Sequence, residues 1–228
     1  MKLKKIIVVF ALLALLFAIG ITLKRKYYDP AQRLKKANEI VNSLLDKNQV
    51  KEGDIVFQNF PSGQSKAIEL ATQSIYTHCG IILKKDNELC VFEAVQPVKF
   101  TSLDVWIARD KNCSFVLKRL KDSDKILNEK VFESMRQIAK EFKGKDYDGT
   151  FEWSDDRLYC SELVWKIYKR TTGLEVGKQQ KLKDFDLTDD IVKNKMKERY
   201  GDDVPYDENV VSPAAIFDSD LLYTVKEK

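Results

Sequence analysis

Apolar residues recur along this chain in two rhythms, and the rhythms predict its elements. Ile6 to Leu23 is one uncharged apolar run. Beyond Asp29-Pro30, apolar side chains return at Ala31, Leu34, Ala37, Ile40, Val41, Leu44 and Leu45. That spacing is helical and one-sided, and Pro30 suits a first helical turn. The segment 27–49 is therefore expected to be a helix that joins the N-terminal run to a domain or packs on that domain. From about Val50 the rhythm changes. Gly53-Asp54-Ile55-Val56-Phe57-Gln58 reads as a turn and a strand, which Pro61-Ser62-Gly63 breaks, and Ser65 to Thr72 reads as a short helix. Thr77 to Leu83 and Leu89 to Val95 are apolar, partly β-branched runs joined by Lys84-Lys85-Asp86-Asn87-Glu88, which predicts a hairpin. Ser114 to Leu120 is a further strand.

Asn128 to Phe142 carries Val131, Phe132, Met135, Ile138, Ala139 and Phe142 on one face, an amphipathic helix closed by Gly144. A loop with several acids follows. A second helical pattern opens at Cys160, places Leu163, Val164, Ile167 and Tyr168 inward, and meets Gly173 past its end. Residues 178–200 are highly charged and read as an insertion, and Val210-Val211-Ser212-Pro213 introduces the last segment. Helix, strands, then helices predict an α+β domain with an antiparallel sheet over 50–228.

Composition changes this picture at the N-terminus only. The chain has 228 residues, 44% hydrophobic and 32% charged, as a globular domain with an appendage would have. The net charge of +4 is small beside 39 basic and 35 acidic side chains. Much of the excess flanks the first apolar run, at Lys2, Lys4, Lys5, Lys24, Arg25 and Lys26, so a nucleic-acid surface is not expected. Residues 6–23 are long enough to cross a bilayer or to form the core of a signal peptide. Residues 1–26 are accordingly expected to be a membrane anchor or signal segment. Positive charge at both ends leaves the orientation open.

The candidate chemistry rests on one histidine. His78 is the single imidazole of the chain, so any histidine-assisted reaction must use it. The four cysteines, Cys79, Cys90, Cys113 and Cys160, contain no Cys-x-x-Cys pair. With one histidine a zinc site would need an unusual ligand set, so no metal and no cofactor is expected. Cys79, Cys90 and Cys113 read as small apolar strand residues. Cys160 differs, because it stands at the start of a predicted helix. Unpaired N–H groups and partial positive charge there favour a thiolate and can hold an oxyanion. The competing reading is a buried cysteine that packs helix on sheet.

A histidine base needs a partner to fix its tautomer. A hairpin loop of even length, centred on Asp86-Asn87, sets His78 opposite Val95 and places Glu93 on its face as a diagonal neighbour, within reach of long side chains. An odd loop would turn Glu93 to the other face.

These residues together resemble a family. Gly53-Asp54-Ile55-Val56-Phe57, Thr72 to Ile81 with His78, Phe92-Glu93-Ala94-Val95, Tyr147-Asp148 and Tyr159-Cys160-Ser161-Glu162-Leu163-Val164 are similar to the YiiX-like branch of circularly permuted, NlpC-type cysteine peptidases of papain-like fold. The resemblance implies Cys160 as nucleophile at a helix start packed on a small antiparallel sheet or barrel, His78 as base, and Glu93 as the third residue. Tyr76, Tyr159 and Ser161 are the candidates to line the cleft or to donate to the oxyanion, with core packing as the alternative for both tyrosines. Two features depart from the family pattern: Cys79, where an aliphatic residue is more usual, and the charged insertion from Lys178. Neither is expected to touch the site, although the insertion can reshape access to it.

The expected activity is cysteine-dependent hydrolysis of an amide in peptidoglycan stem peptides, in the bacterial cell envelope. An alternative keeps the thiol and exchanges the substrate for a lipid acyl group or lipid amide held at the membrane; a greasy cleft beside Cys160 would favour it, a polar cleft the peptide. A third possibility is a papain-like fold retained as a binding module.

Overall fold

The computed structural model describes residues 17, 20–22, 24 and 28–228. The predicted membrane run at 6–23 lies largely outside the described residues. No helix among the described residues is long and apolar enough to cross a membrane.

The centre of the fold is a six-stranded antiparallel sheet. In chain order its strands are β1 (Ile55–Gln58), β2 (His78–Lys85), β3 (Glu88–Glu93), β4 (Lys99–Ser102) and β5 (Val116–Leu120), with a last strand, Leu222–Glu227, at the C-terminus. Across the sheet the order is last strand, β5, β1, β2, β3, β4. The predicted hairpin forms on a two-residue turn, Asp86-Asn87, and both turn residues have positive φ (51° and 67°). Asp and Asn tolerate that left-handed backbone, whose twist matches the flanking strands. Ile81 therefore pairs with Phe92, Leu83 with Cys90 and Lys85 with Glu88. Continuing this register places Val95 opposite His78 and Glu93 opposite Gly80, the even-loop arrangement.

Both faces of the sheet are covered, because strand alternation sends apolar side chains both ways. One face carries Ile55, Phe57, Cys79, Ile81, Leu83 and Phe92. It is covered by α5 (Glu129–Phe142), which follows the one-turn α4 (Ser123–Ile126), through Met135, Ala139 and Phe142, and by α6 (Cys160–Thr172), through Leu163, Val164, Ile167 and Tyr168. Asn128 caps α5 by accepting from the Val131 N–H at 3.1 Å, and Gly173 (φ 77°) ends α6. The other face carries Val56, Ile82, Val91 and Leu117. It is covered by α1 (Asp29–Asp46) through Ala37, Val41 and Leu44, and by the short α3 (Leu103–Ile107) through Leu103, Trp106 and Ile107. The first helical segment thus packs on the domain rather than merely leading into it, chiefly against α3, in the cluster that also holds Val56 and Val91.

Three further pieces sit around the start of α6. These are α2 (Ser65–Thr72), α7 (Asp190–Tyr200) and a small strand pair, Gln180–Lys181 with Asn209–Val210. The charged stretch 178–200 therefore folds as strand, 3-10 turn and helix, and its helix packs against α2. The element over Lys99–Ile107 has no counterpart in the periodicity, because four strand residues run directly into five helical ones.

Candidate active site

Cys160 is the first residue of α6, with Tyr159 in extended conformation before it. The chain must enter α6 there: Arg157–Leu158 is held in a parallel bridge to Asp146–Tyr147, and Glu162 reaches back to the Tyr159 N–H at 3.3 Å. The first N–H groups of α6 have no intrahelical acceptor. The helix start abuts the beginning of β2, so two residues 82 positions apart in sequence come together.

The His78 ring is buried between Phe60 (4.8 Å between centroids) and Trp106 (6.3 Å). Its Nε2 bonds the Glu93 carboxylate at 2.7 Å. That leaves Nδ1 for Cys160, whose thiol lies within hydrogen-bonding and charge reach of the ring. Burial works to lower the imidazole pKa, but the charges and hydrogen bonds of Cys160 and Glu93 overcome it and raise it to about 9. The Cys160 thiol moves the opposite way. A hydrogen bond from the Cys79 thiol lowers its pKa, burial opposes that, and the His78 charge and the Cys79 main chain add to the lowering, so it sits well below an ordinary thiol. Both shifts favour a thiolate–imidazolium pair, which titrates as a coupled unit rather than as two independent groups.

Glu93 is fully buried and accepts from five donors. His78 Nε2 and Trp106 Nε1 (3.1 Å) bind Oε2, Thr101 Oγ1 (2.5 Å) binds Oε1, and the Arg109 guanidinium grips both oxygens at 2.6 Å each. Burial alone would raise its pKa; the bonds and charges of His78 and Arg109 hold it at about 2. Gly80 makes room for this arrangement. A Cβ there would stand 2.4 Å from Val91 Cγ1 and 3.4 Å from Glu93 Cβ, so a side chain would collide on the face that His78 and Glu93 share.

The structure thus brings Cys160, His78 and Glu93 together. Of the other three candidates it places Tyr159 and Ser161 on the groove that holds the thiol, and Tyr76 off it. Tyr76 stacks on Phe217 (4.1 Å) and meets Phe57 edge-on, away from the groove that holds the thiol. Tyr159 and Ser161 line that groove, and their hydroxyls also hold the chain that follows the small strand pair. Ser161 donates to the Val211 carbonyl (2.7 Å) and Tyr159 accepts from the Val211 N–H (3.2 Å), which ties 210–213 to the start of α6.

Two expectations need correction. Cys79 alternates with His78 on β2 and was expected to stand clear of the site, yet its thiol and N–H point at the Cys160 sulfur. The reason is that α6 lies on the Cys79 face of the sheet, while His78 reaches the same thiol from the strand end. The 178–200 stretch also touches the site, since Leu182, Phe185, Val192, Met196 and Arg199 form one wall of the groove beside Cys160.

Residues that sequence reasoning passed over complete the site. Thr101 and Trp106 come from the unpredicted β4–α3 segment, and Arg109 from the turn after it. The available signal was Glu93 itself, because a carboxylate in an apolar strand demands a cation. Tyr147 is the other addition. It lines the groove and feels the Cys160 charge, and its hydroxyl accepts from Gln64 Nε2 (2.6 Å), which leaves its own proton free to donate. The groove opens to solvent and, with that open space included, spans about 730 Å³. Apart from Lys195 and Arg199 its lining is uncharged, and mostly Ala, Ile, Leu, Val, Met and aromatic side chains.

A thiolate at a helix start, with an imidazolium oriented by a buried acid on a neighbouring antiparallel sheet, defines the class of papain-like thiol hydrolases. Residues 49–226 match the family described as permuted papain-like amidase enzyme, YaeF/YiiX, C92 family, and the chain belongs to it. It is 47% identical over 180 residues to the protein YiiX of Escherichia coli strain K12, covering 79% of this chain and 88% of that protein. It is also similar to a solved structure titled as the metalloprotein yiiX from Escherichia coli O157:H7. The TM-score there is 0.75 at 48% identity, over 79% of this chain and 98% of that one. "Metalloprotein" describes that molecule. Among the described residues of this chain, no group of three or more His, Cys, Asp and Glu is placed to hold a metal ion.

Proposed function

We propose that this amidase-family chain cleaves an amide whose acyl part is a hydrophobic chain, with Cys160 as nucleophile, His78 as acid and base, and Glu93 as the group that orients and charges His78. The observation that carries the reading is the apolar groove that opens directly onto the thiolate. A stem peptide brings polar amides and carboxylates that each need a partner on desolvation, and the walls beside Cys160 offer few. An acyl chain needs none and gains about 0.8 kcal/mol per buried methylene. A lipid amide is therefore the better match, and the apolar run at 6–23 would hold such a site near a bilayer in the cell envelope.

The steps follow from the residues. The Cys160 thiolate adds to the carbonyl carbon. The resulting oxyanion is met by N–H groups at the start of α6 and by the Tyr147 hydroxyl, a preorganised arrangement of the kind that gives the largest electrostatic contributions. The His78 imidazolium gives its Nδ1 proton to the amine nitrogen as the C–N bond breaks, which leaves a thioester on Cys160. Neutral His78 then takes a proton from water as the water attacks that thioester. The carboxylic acid departs, and the thiolate–imidazolium pair returns.

The test compares N-octanoyl amides with muramyl stem peptides as substrates of the full chain, with Cys160→Ala as the blank. Thiol-dependent release of octanoate with no cleavage of the stem peptide supports the acyl reading. Stem-peptide cleavage with inert octanoyl amides would overturn it in favour of the peptidoglycan substrate.

A further inference from the structure

The groove beside Cys160 holds a cation that, among the described residues, has no carboxylate partner. Arg199, in the last turn of α7, lines the groove. Its guanidinium donates to the Gln64 amide oxygen and lies over the Phe151 ring at 4.7 Å. Among the described residues, no carboxylate forms an ion pair with it. Its neighbour Glu198 is taken by Lys195 at 2.5 Å. An arginine in this position is held in place without being neutralised. The stacked ring and the amide fix its plane, and its remaining N–H groups are available. Arginine with a preset plane is the side chain best suited to grip a carboxylate or phosphate by two parallel bonds.

Its position relative to the chemistry is also set. Gln64 accepts from Arg199 through Oε1 and donates through Nε2 to the Tyr147 hydroxyl. Tyr147 in turn faces Cys160. The guanidinium is thus two hydrogen-bonded side chains away from the thiol, along one wall of one groove. A substrate whose carbonyl sits at Cys160 and whose acyl chain lies along the apolar walls would bring a group a few bonds beyond the scissile nitrogen to this cation.

We propose that Arg199 is a specificity-determining residue that binds an anionic group on the amine side of the substrate, so that the enzyme prefers acyl amides of amines carrying a carboxylate or phosphate. The proposal rests on the acyl-amide reading. Gln64 gives it a second consequence: anion binding at Arg199 and the orientation of Tyr147 share one amide, so the correct substrate also settles the oxyanion donor.

The test uses the full chain and three soluble probes with one acyl chain: N-octanoyl-glycine, neutral N-octanoyl-glycinamide and N-octanoyl-phosphoethanolamine. Binding is measured by calorimetry on the Cys160→Ala protein, and hydrolysis on the wild type. A charged probe should bind at least about tenfold more tightly than the glycinamide, as a charge-assisted bidentate contact implies. Arg199→Gln should erase that ratio, and the phosphate probe shows which anion is preferred. Equal binding of all three probes to the wild-type groove would overturn the proposal, even if octanoyl amides are hydrolysed, and this comparison needs no variant at Arg199. Failure of any octanoyl amide to bind or react would instead sink the acyl reading beneath it.

Discussion

Removing Arg109 is the sharpest probe of the buried acid. The substitution Arg109→Met keeps most of the side-chain length and deletes two of the five donors on Glu93, the pair at 2.6 Å that grips both oxygens. Glu93 has no exposed surface, and the Arg109 side chain is only 19% exposed, so solvent cannot replace the lost bonds. Breaking a buried ion pair by removing one partner costs about 3–5 kcal/mol. At about 2–4 °C per kcal/mol for a domain of this size, the melting temperature should fall by roughly 6–20 °C. His78, Trp106 and Thr101 still hold the carboxylate, which favours the lower end. A chemical consequence follows. Arg109 helps hold the Glu93 carboxyl at about 2, and Glu93 helps raise His78 to about 9. Without Arg109 the carboxyl rises toward the ordinary carboxylate range, so the pH below which Glu93 is protonated and stops supporting the imidazolium moves up, and the acid limb of the thiolate's profile moves with it. Thermal melts, together with the pH dependence of Cys160 alkylation by iodoacetamide, read both effects. Adding Glu93→Gln to Arg109→Met should recover part of the stability, because the orphaned charge is gone. A stability loss below about 1 kcal/mol with an unchanged alkylation profile would refute the argument that Arg109 secures the charge of Glu93.

The titration directions set a pH window. At pH 6, Cys160 should alkylate far faster than Cys79 or Cys90, whose thiols burial pushes up, and His78→Ala should abolish the difference; equal rates would end the activated-pair reading. Amide hydrolysis should fall as pH rises through about 9, because the imidazolium that protonates the leaving amine is lost. The same sign applies to stability: with a folded pKa above its ordinary 6.5, His78 stabilises the fold below that value and loses the contribution as pH climbs through about 9. Tyr147→Phe should lower kcat by about 10²–10³ with a much smaller change in KM, the pattern of a donor used only in the transition state; a kcat within about threefold of wild type would remove Tyr147 from the oxyanion site.

What the sequence determined by itself was local, or forced by scarcity. The Asp86-Asn87 turn accepts positive φ at both positions, so the hairpin register follows from residues in the turn, and with it the placing of Glu93 on the His78 face. A single histidine leaves no choice of base. Cys160 is marked by the helical pattern that begins on it, and the amphipathic spacing of 128–142 and 160–172 identified the two helices that cover one face. Only the tertiary structure decided the rest. Thr101, Trp106 and Arg109 converge on Glu93 from a strand and a helix too short to show a period and from the turn that follows them. Cys79 meets Cys160 because α6 lies on that face of the sheet, which strand alternation alone cannot say. The groove is assembled from α2, the loop around Tyr147, the start of α6, the 182–200 segment and residues 210–213. Its apolar lining and its arginine, which meets no carboxylate among the described residues, emerge only when those distant segments pack. Periodicity reports which face of an element is buried; it carries no information about which other element will cover it.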